Sequence, residues 1–337
     1  MPVTIRDVAR RLKLSITTVS RALDGYPDVA EETRQRVIRT AREMGYAPSR
    51  AARQLRRKRA DTIGYIMPTS RPRFSDPFFL EFIAGLGDEA ALHHVDLLMN
   101  TASPAGDEER TLYRQWVQSR RVDGVVLSRM RLDDWRAQYL TESDFPFVAF
   151  GRTHPPMNFP HIGVDGQSGV RALVAHLIVL GHRRIAYVSA PPDLTLQADR
   201  FAGYREGLAA AGIPFDASLI TAGDLTRKGG YQAAQRLFAL PDRPTAIIGA
   251  NDLTAIGIMS AAREHGLVVG RDLAVAGFDG IEDAEHAQPP LTTLNQPVYV
   301  IARRLVKMLL AAINREPLAE PHVLLQPELI VRESTGG

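Results

Sequence analysis

No cysteine occurs among the 337 residues, which excludes a disulfide framework, a thiolate metal site and a cysteine nucleophile. No apolar run is long enough to span a membrane, and the opening MPVTIRDVARR passes straight into a charged amphipathic segment without a signal peptide's apolar core. We therefore expect a cytoplasmic protein with no membrane partner. Signatures of catalysis are also missing: there is no Walker A loop, nucleophile elbow, EF-hand loop or HExxH. The nine histidines are scattered without ligand spacing, and acidic pairs such as Asp133-Asp134 read as solvated loops or helix starts. Gly85-Leu86-Gly87-Asp88-Glu89-Ala90 spells GxGxxA, but inside a helical pattern instead of after a strand, which sets dinucleotide binding aside. The expectation is no cofactor, no metal and no enzymatic activity.

The length suggests two or three domains, and 45% hydrophobic with 23% charged residues is the composition of a globular chain with a good core. Charge is unevenly placed. Residues 1–59 hold 15 Lys and Arg against 6 Asp and Glu, whereas the remainder holds 26 against 32. A basic head on an acidic body is the electrostatic footprint of a nucleic-acid-binding module joined to something else.

The head explains that footprint. Ile5, Val8, Ala9 and Leu12 have the spacing of one buried helix face, with Thr4 as N-cap and Asp7 at the capping-box position. Ser15 can cap a second helix whose Val19 and Leu23 turn back on the first. Ile16, Thr17, Ser20 and Arg21 are then left on the outer face, as a helix-turn-helix presents its recognition helix to a major groove. Taken alone, any amphipathic hairpin has such a face. A third helix follows over Glu31 to Met44, with Val37, Ala41 and Met44 inward and Gly45 as its stop. Pro48 to Arg57 is basic and too short to be a stable helix alone. It is either a solvated linker or a segment that folds when phosphates neutralise it, with Leu55 beside Ala51 and Ala52 as an apolar wedge for a minor-groove step.

From Thr4 to Leu55 the chain closely resembles the head of the lactose/galactose-repressor family of bacterial transcription regulators. The resemblance rests on Asp7-Val8-Ala9, Thr18-Val19-Ser20-Arg21, Glu32-Thr33-Arg34, Gly45-Tyr46 and Pro48-Ser49. It implies that Ile16, Thr17 and Arg21 read bases, Arg21 through a bidentate contact to guanine. It also implies that Ser15, Thr18, Ser20, Thr33 and Tyr46 contact or position against phosphates, that Ser49 and Ala52 of the hinge touch DNA, and that Leu55 levers open the centre of a palindromic operator. Family members differ at the Ile16 and Thr17 positions, so the half-site sequence does not carry over.

Beyond Thr62 strand and helix patterns alternate. Strands are expected at Ile63–Met67, Val95–Met99, Gly124–Leu127, Ile185–Val188, Ala246–Gly249 and Leu273–Ala276. Helices are expected over Phe78–Leu92, Glu108–Ser119, Gly169–Leu180, Phe201–Ala211, Tyr231–Leu240 and Leu253–His265. Such alternation predicts doubly wound parallel sheets in two similar lobes, with ligand at the strands' carboxyl ends. Gly181-His182, Arg200-Phe201-Ala202-Gly203-Tyr204, Asn251-Asp252, Gly277-Phe278-Asp279 and Pro290-Leu291-Thr292-Thr293 extend the resemblance to the family's periplasmic-binding-protein-like core.

By that analogy the chain divides into a helix-turn-helix domain at 1–46, a hinge at 47–59 and an effector-binding, dimerising α/β core at 60–337. The core's first subdomain would take about 60–161 and 291–325, and its second about 162–290 and 326–337, with crossings near 161, Leu291 and Gln326. Arg200, Asn251 and Asp279 match effector positions of the family, and Asp76, Phe78, Phe150 and Arg152 are added from strand-end position and local similarity. Arg, Asn and Asp suit adjacent hydroxyls, and an aromatic suits the apolar face of a sugar. Where some sugar-responsive members carry an acid, this chain has Gly151 followed by Arg152. The resemblance implies a homodimeric repressor released from double-stranded operator DNA by a small sugar or sugar derivative. A corepressor-dependent regulator of the purine type is the alternative, and a solute-binding protein a more distant one.

Overall fold

The structure is a computed structural model that describes residues 3–46, 59–69, 76–103 and 106–336. It divides into two compact units, Met1–Ala60 and Asp61–Gly337.

The first unit contains α1 (Ile5–Leu12), α2 (Ile16–Leu23) and α3 (Glu31–Glu43). The N-terminal signals act as expected. The Thr4 backbone N–H and hydroxyl both donate to Asp7 Oδ2, at 3.0 and 2.6 Å, and the Thr18 N–H donates to Ser15 Oγ at 2.9 Å. Gly45 follows α3 with φ +67°, a left-handed stop that a side chain would strain. Val8, Ala9, Val19, Ala22, Val29, Val37 and Ala41 form the shared core. Its small side chains let the short helices pack closely, but they bury little area, which is the limit on any domain of this size.

The second unit holds two six-stranded sheets. In chain order the first uses β1 (Thr62–Pro68), β2 (Asp96–Ala102), β3 (Gly124–Leu127), β4 (Phe147–Phe150), β5 (His161–Val164) and, much later, β11 (His322–Leu325). Their spatial order is β11-β5-β4-β3-β1-β2, and all neighbours are parallel. The second uses β6 (Ile185–Ser189), β7 (Ile220–Ala222), β8 (Ala246–Gly249), β9 (Ala274–Asp279), β10 (Thr292–Asn295) and β12 (Glu328–Ile330). They lie in the order β12-β10-β9-β8-β6-β7, with β12 antiparallel at the edge. Helices α4 (Pro77–Leu92), α5 (Asp107–Ser119), α6 (Trp135–Glu142) and α12 (Val298–Asn314) cover the first sheet. Helices α7 (Gly166–Val179), α8 (Thr195–Ala210), α9 (Arg227–Phe238) and α10 (Asp252–Glu264) cover the second, with the short α11 (Glu282–Glu285) before β10. Each sheet has a separate apolar core on each face, so its central strands read as continuous hydrophobic runs without alternation.

The expected lobe boundaries shift. β5 belongs wholly to the first sheet and β10 to the second, so the first two crossings come after Val164 and after Asn295, not near 161 and 291. A parallel strand must run to its carboxyl end before the chain can leave the sheet. The third crossing lies between β11 and β12, at 326–327. Patterning also missed α6, α11, β4, β5, β7, β10, β11, β12 and α12, most of them short elements or, for α12, a helix whose partner lies far away in sequence.

Glycines mark the tightest helix crossings. A Cβ on Gly85 would stand 2.5 Å from the Tyr299 carbonyl oxygen, and one on Gly203 2.1 Å from that of Gln167. The GxGxxA pattern on α4 is thus a close approach to α12. No helix among the described residues is long and apolar enough to cross a membrane.

Candidate functional site

In the head, the outer surface of α2 begins with Ile16, 45% exposed, and Thr17, also exposed. Ser15 and Thr18 cap the helix together, their hydroxyls 2.8 Å apart. Ser20 departs from expectation: it is buried, and its Oγ reaches Asp24 Oδ2 at 3.4 Å. Because α2 packs against both α1 and α3, its covered face is wider than a two-helix pattern predicts, and Ser20 falls inside it. Arg21 stays on the surface, held to Asp28 by Nε at 3.2 Å and Nη2 at 2.6 Å. Thr33 and Tyr46 are half-buried, Tyr46 against the head core. Ser49, Ala52 and Leu55 lie outside the described residues.

In the second unit a cavity of about 190 Å³ opens between the lobes, where the carboxyl ends of the two sheets face each other. Six of the expected effector residues line it: Phe78, Phe150, Arg152, Arg200, Asn251 and Asp279. Asp76 is not among its lining residues. Its Oδ1 accepts the Phe78 N–H at 3.1 Å as the cap of α4, and its Oδ2 accepts Arg129 Nη2 at 2.9 Å. Both oxygens being engaged, Asp76 positions Arg129, which does line the cavity and follows the carboxyl end of β3.

The second lobe's wall is built around Arg200, only 6% exposed. Its guanidinium donates to the Ala250 carbonyl oxygen and lies 3.4 Å from Asp279 Oδ1, with its centre 3.6 Å from the centroid of the Phe278 ring. Gln296 Nε2 donates to the same Asp279 oxygen at 2.8 Å. Asp279 has φ +119°, an unusual conformation for a side-chain-bearing residue, and burial pushes its carboxyl up to about 6 against the pull of Arg200. Behind it, wholly buried Asp252 accepts from Thr293 Oγ1 at 2.5 Å and from the Gly280 and Ile281 N–H groups at 2.7 and 3.0 Å, fixing the turn that presents Asp279. Burial and the neighbouring Asp279 raise the Asp252 carboxyl well above the usual range. A Cβ on Gly277 would stand 2.2 Å from Asp252 Oδ1. The Gly277-Phe278-Asp279 motif therefore joins close approach, arginine stacking and ion pairing.

Asn251 lines the cavity but is largely engaged in capping α10. Its Oδ1 accepts from the Thr254 N–H and Oγ1 at 3.0 and 2.6 Å, and its Nδ2 donates to the Leu225 carbonyl oxygen at 3.2 Å. One amide hydrogen remains for a ligand. On the first lobe, Phe78 and Phe150 are stacked with centroids 5.9 Å apart, and both pack on Phe82.

Charge around the cavity is matched pair by pair. Arg129 meets Asp76 at 2.9 Å, Arg152 meets Asp199 at 3.0 Å, and Arg200 meets Asp279 at 3.4 Å. Sequence reasoning missed Arg129, Asp199 and Gln296. Arg129 carried the same strand-end signal as Arg152; Gln296 would have followed from recognising β10; Asp199 had no signal, being one helical residue whose partner is in the other lobe.

The chain matches the family model of bacterial regulatory proteins, lacI family, over residues 4–49, and that of the periplasmic binding protein-like domain over residues 174–335. It is 37% identical over 340 residues to the HTH-type transcriptional regulator AglR of Rhizobium meliloti (strain 1021), covering 100% of this chain and 95% of that protein. Among solved structures, the transcriptional regulator CelR–cellobiose complex superposes with a TM-score of 0.76 at 32% identity, covering 98% of this chain and 99% of that one. The lac repressor dimer bound to operator and the anti-inducer ONPF superposes with a TM-score of 0.87 at 28% identity, covering 99% of each chain.

Proposed function

From the premise that the chain belongs to the lacI family of bacterial regulatory proteins, we propose that it is a homodimeric repressor of carbohydrate-utilisation genes, released from a palindromic operator by a neutral sugar bound in the cleft. The charge pairing around the cavity carries this reading. Each arginine has its own carboxylate, so a charged ligand would gain one partner while opposing another. A neutral polyhydroxyl compound instead uses the unfilled donor and acceptor capacity of Arg200, Asp279, Gln296 and Asn251, with the Phe78–Phe150 stack beneath its apolar face. No catalytic role is assigned, and a protein acting on operator DNA works in the cytoplasm.

The coupling follows from two lobes that are separate packed bodies. A ligand touching both favours one lobe arrangement and transmits that preference to the hinge at 47–59, through which Leu55 grips the operator. A twofold operator calls for a twofold protein, since one small head covers too little DNA for specific affinity.

The test is fluorescence anisotropy on DNA upstream of the protein's own gene and its neighbours, with a panel of neutral mono- and disaccharides and sugar phosphates. Salt-sensitive binding relieved by one neutral sugar is expected, and Arg200→Ala should bind operator but no longer respond. Release by a phosphorylated sugar alone would overturn the neutral-ligand reading, and binding tightened by ligand would replace repressor release with corepression.

A further inference from the structure

In the head, Arg21 is not a free side chain. Asp28 grips one side of its guanidinium through Nε and Nη2, while the centre of the guanidinium lies 4.7 Å from the centroid of the Tyr26 ring. The turn carrying both partners is itself fixed. Arg34 donates Nη2 to the Tyr26 and Val29 carbonyl oxygens at 2.8 and 3.4 Å, the Tyr26 N–H returns to the Arg21 carbonyl oxygen at 3.1 Å, and Val29 is buried in the head core. A carboxylate held by an anchored turn thus sets the plane of a guanidinium on the outer side of α2.

An isolated surface ion pair is worth little in stability, but geometry gives this one another consequence. Arginine has five N–H groups in a fixed fork. With Nε and one Nη2 hydrogen facing Asp28, the end-on edge formed by Nη1 and the other Nη2 hydrogen is not used by that carboxylate, and the side chain is 43% exposed. That edge presents two parallel donors. Guanine offers two acceptors, O6 and N7, on its major-groove edge, whereas adenine places a donor beside its N7. The turn also places a negative charge near the DNA-facing surface, where it disfavours phosphate contact by the same guanidinium.

We propose that Asp28 is a positioning residue for base readout: by holding Arg21 edge-outward it makes the head select a guanine at one position of each half-site. This rests on the reading of Arg21 as a base-contacting residue, and the experiment separates the two.

Full-length protein is used to select operators from duplexes with a randomised palindromic core. Affinities are then measured for the selected duplex and its single-base variants with wild type, Arg21→Ala, Asp28→Asn and Asp28→Glu, each checked for folding by circular dichroism. The expected result is that Arg21→Ala loses preference for guanine at one half-site position. Asp28→Asn should lose about tenfold of the preference at that same position, with binding to unrelated duplex unchanged or tighter, and Asp28→Glu should restore part of it. If Asp28→Asn keeps the full preference while Arg21→Ala loses it, Arg21 reads the base unaided and the positioning role is overturned. If Arg21→Ala keeps every preference, the reading of Arg21 itself fails, and the proposal with it.

Discussion

Arg152 and Asp199 belong to opposite lobes, and their side chains meet at 3.0 Å in the wall of the cavity. His154 adds a second contact to Asp199 at 3.4 Å. Backbone bonds run alongside, from Leu132 N–H to the Asp193 carbonyl oxygen at 2.8 Å and from Thr195 N–H to that of Met130 at 3.0 Å. The loops leaving β3 and β4 are thereby drawn onto the start of α8, and the lobes are latched beside the cavity.

Asp199→Asn keeps the shape of this latch and removes its charge. Arg152 is 36% exposed, so solvent screens the pair and the loss is modest. We expect effector affinity to fall about two- to fivefold, with operator affinity in the absence of effector nearly unchanged. Calorimetric titration of the variant checks the first point and anisotropy the second; an unaltered effector affinity would show that the latch does not bias closure.

Effector binding should depend on pH through Asp279. Its carboxyl is raised to about 6 from an ordinary value of 3.8 by burial, opposed by Arg200, reinforced by Asp76 and opposed again by Arg129. A ligand hydroxyl donates to the ionised form, so affinity should rise with pH through about 6 and level off above. The linkage to folding has the opposite sense. The folded state holds this proton where the unfolded chain has released it, so the contribution of Asp279 to stability is greatest below 3.8 and is lost as pH rises through about 6. Titrations between pH 5 and 8 decide the point, and a flat binding profile excludes Asp279 as a ligand.

Gly85→Ala tests the reading of the GxGxxA pattern as a helix crossing. The added methyl would meet the Tyr299 carbonyl oxygen at 2.5 Å and Ala302 Cβ at 2.8 Å. Backbone cannot yield as a side-chain tip does, so α4 and α12 must separate, at a cost of about 1–3 kcal/mol. Thermal denaturation should show a lower Tm; an unchanged one means the crossing relaxes freely.

Leu55→Ala is expected to weaken specific operator binding at least tenfold while leaving effector affinity intact, since an Ala methyl cannot wedge a base step open. Equal operator affinity for variant and wild type would refute the wedge.

Much of this protein was legible locally. The head's capping residues, its i, i+3, i+4 apolar spacing and the Gly45 stop are short-range signals, and Thr4, Asp7 and Ser15 make the caps their types predict. The central strands of both sheets were equally visible, because burial on both faces demands unbroken apolar runs. What the sequence left undecided depends on partners distant along the chain. Ser20 reads as an outer residue until α3 closes over α2, and Asp76 reads as a ligand until Arg129, 53 residues later, engages its second oxygen. β10 and β11 are unremarkable as segments; each becomes a strand only because a neighbouring edge satisfies its backbone. The amino-acid order thus determined which residues are able to donate, accept, stack or turn. Tertiary structure decided which of those capacities are satisfied within the protein and which remain to meet a ligand, because a hydrogen-bonding group already paired has little left to offer.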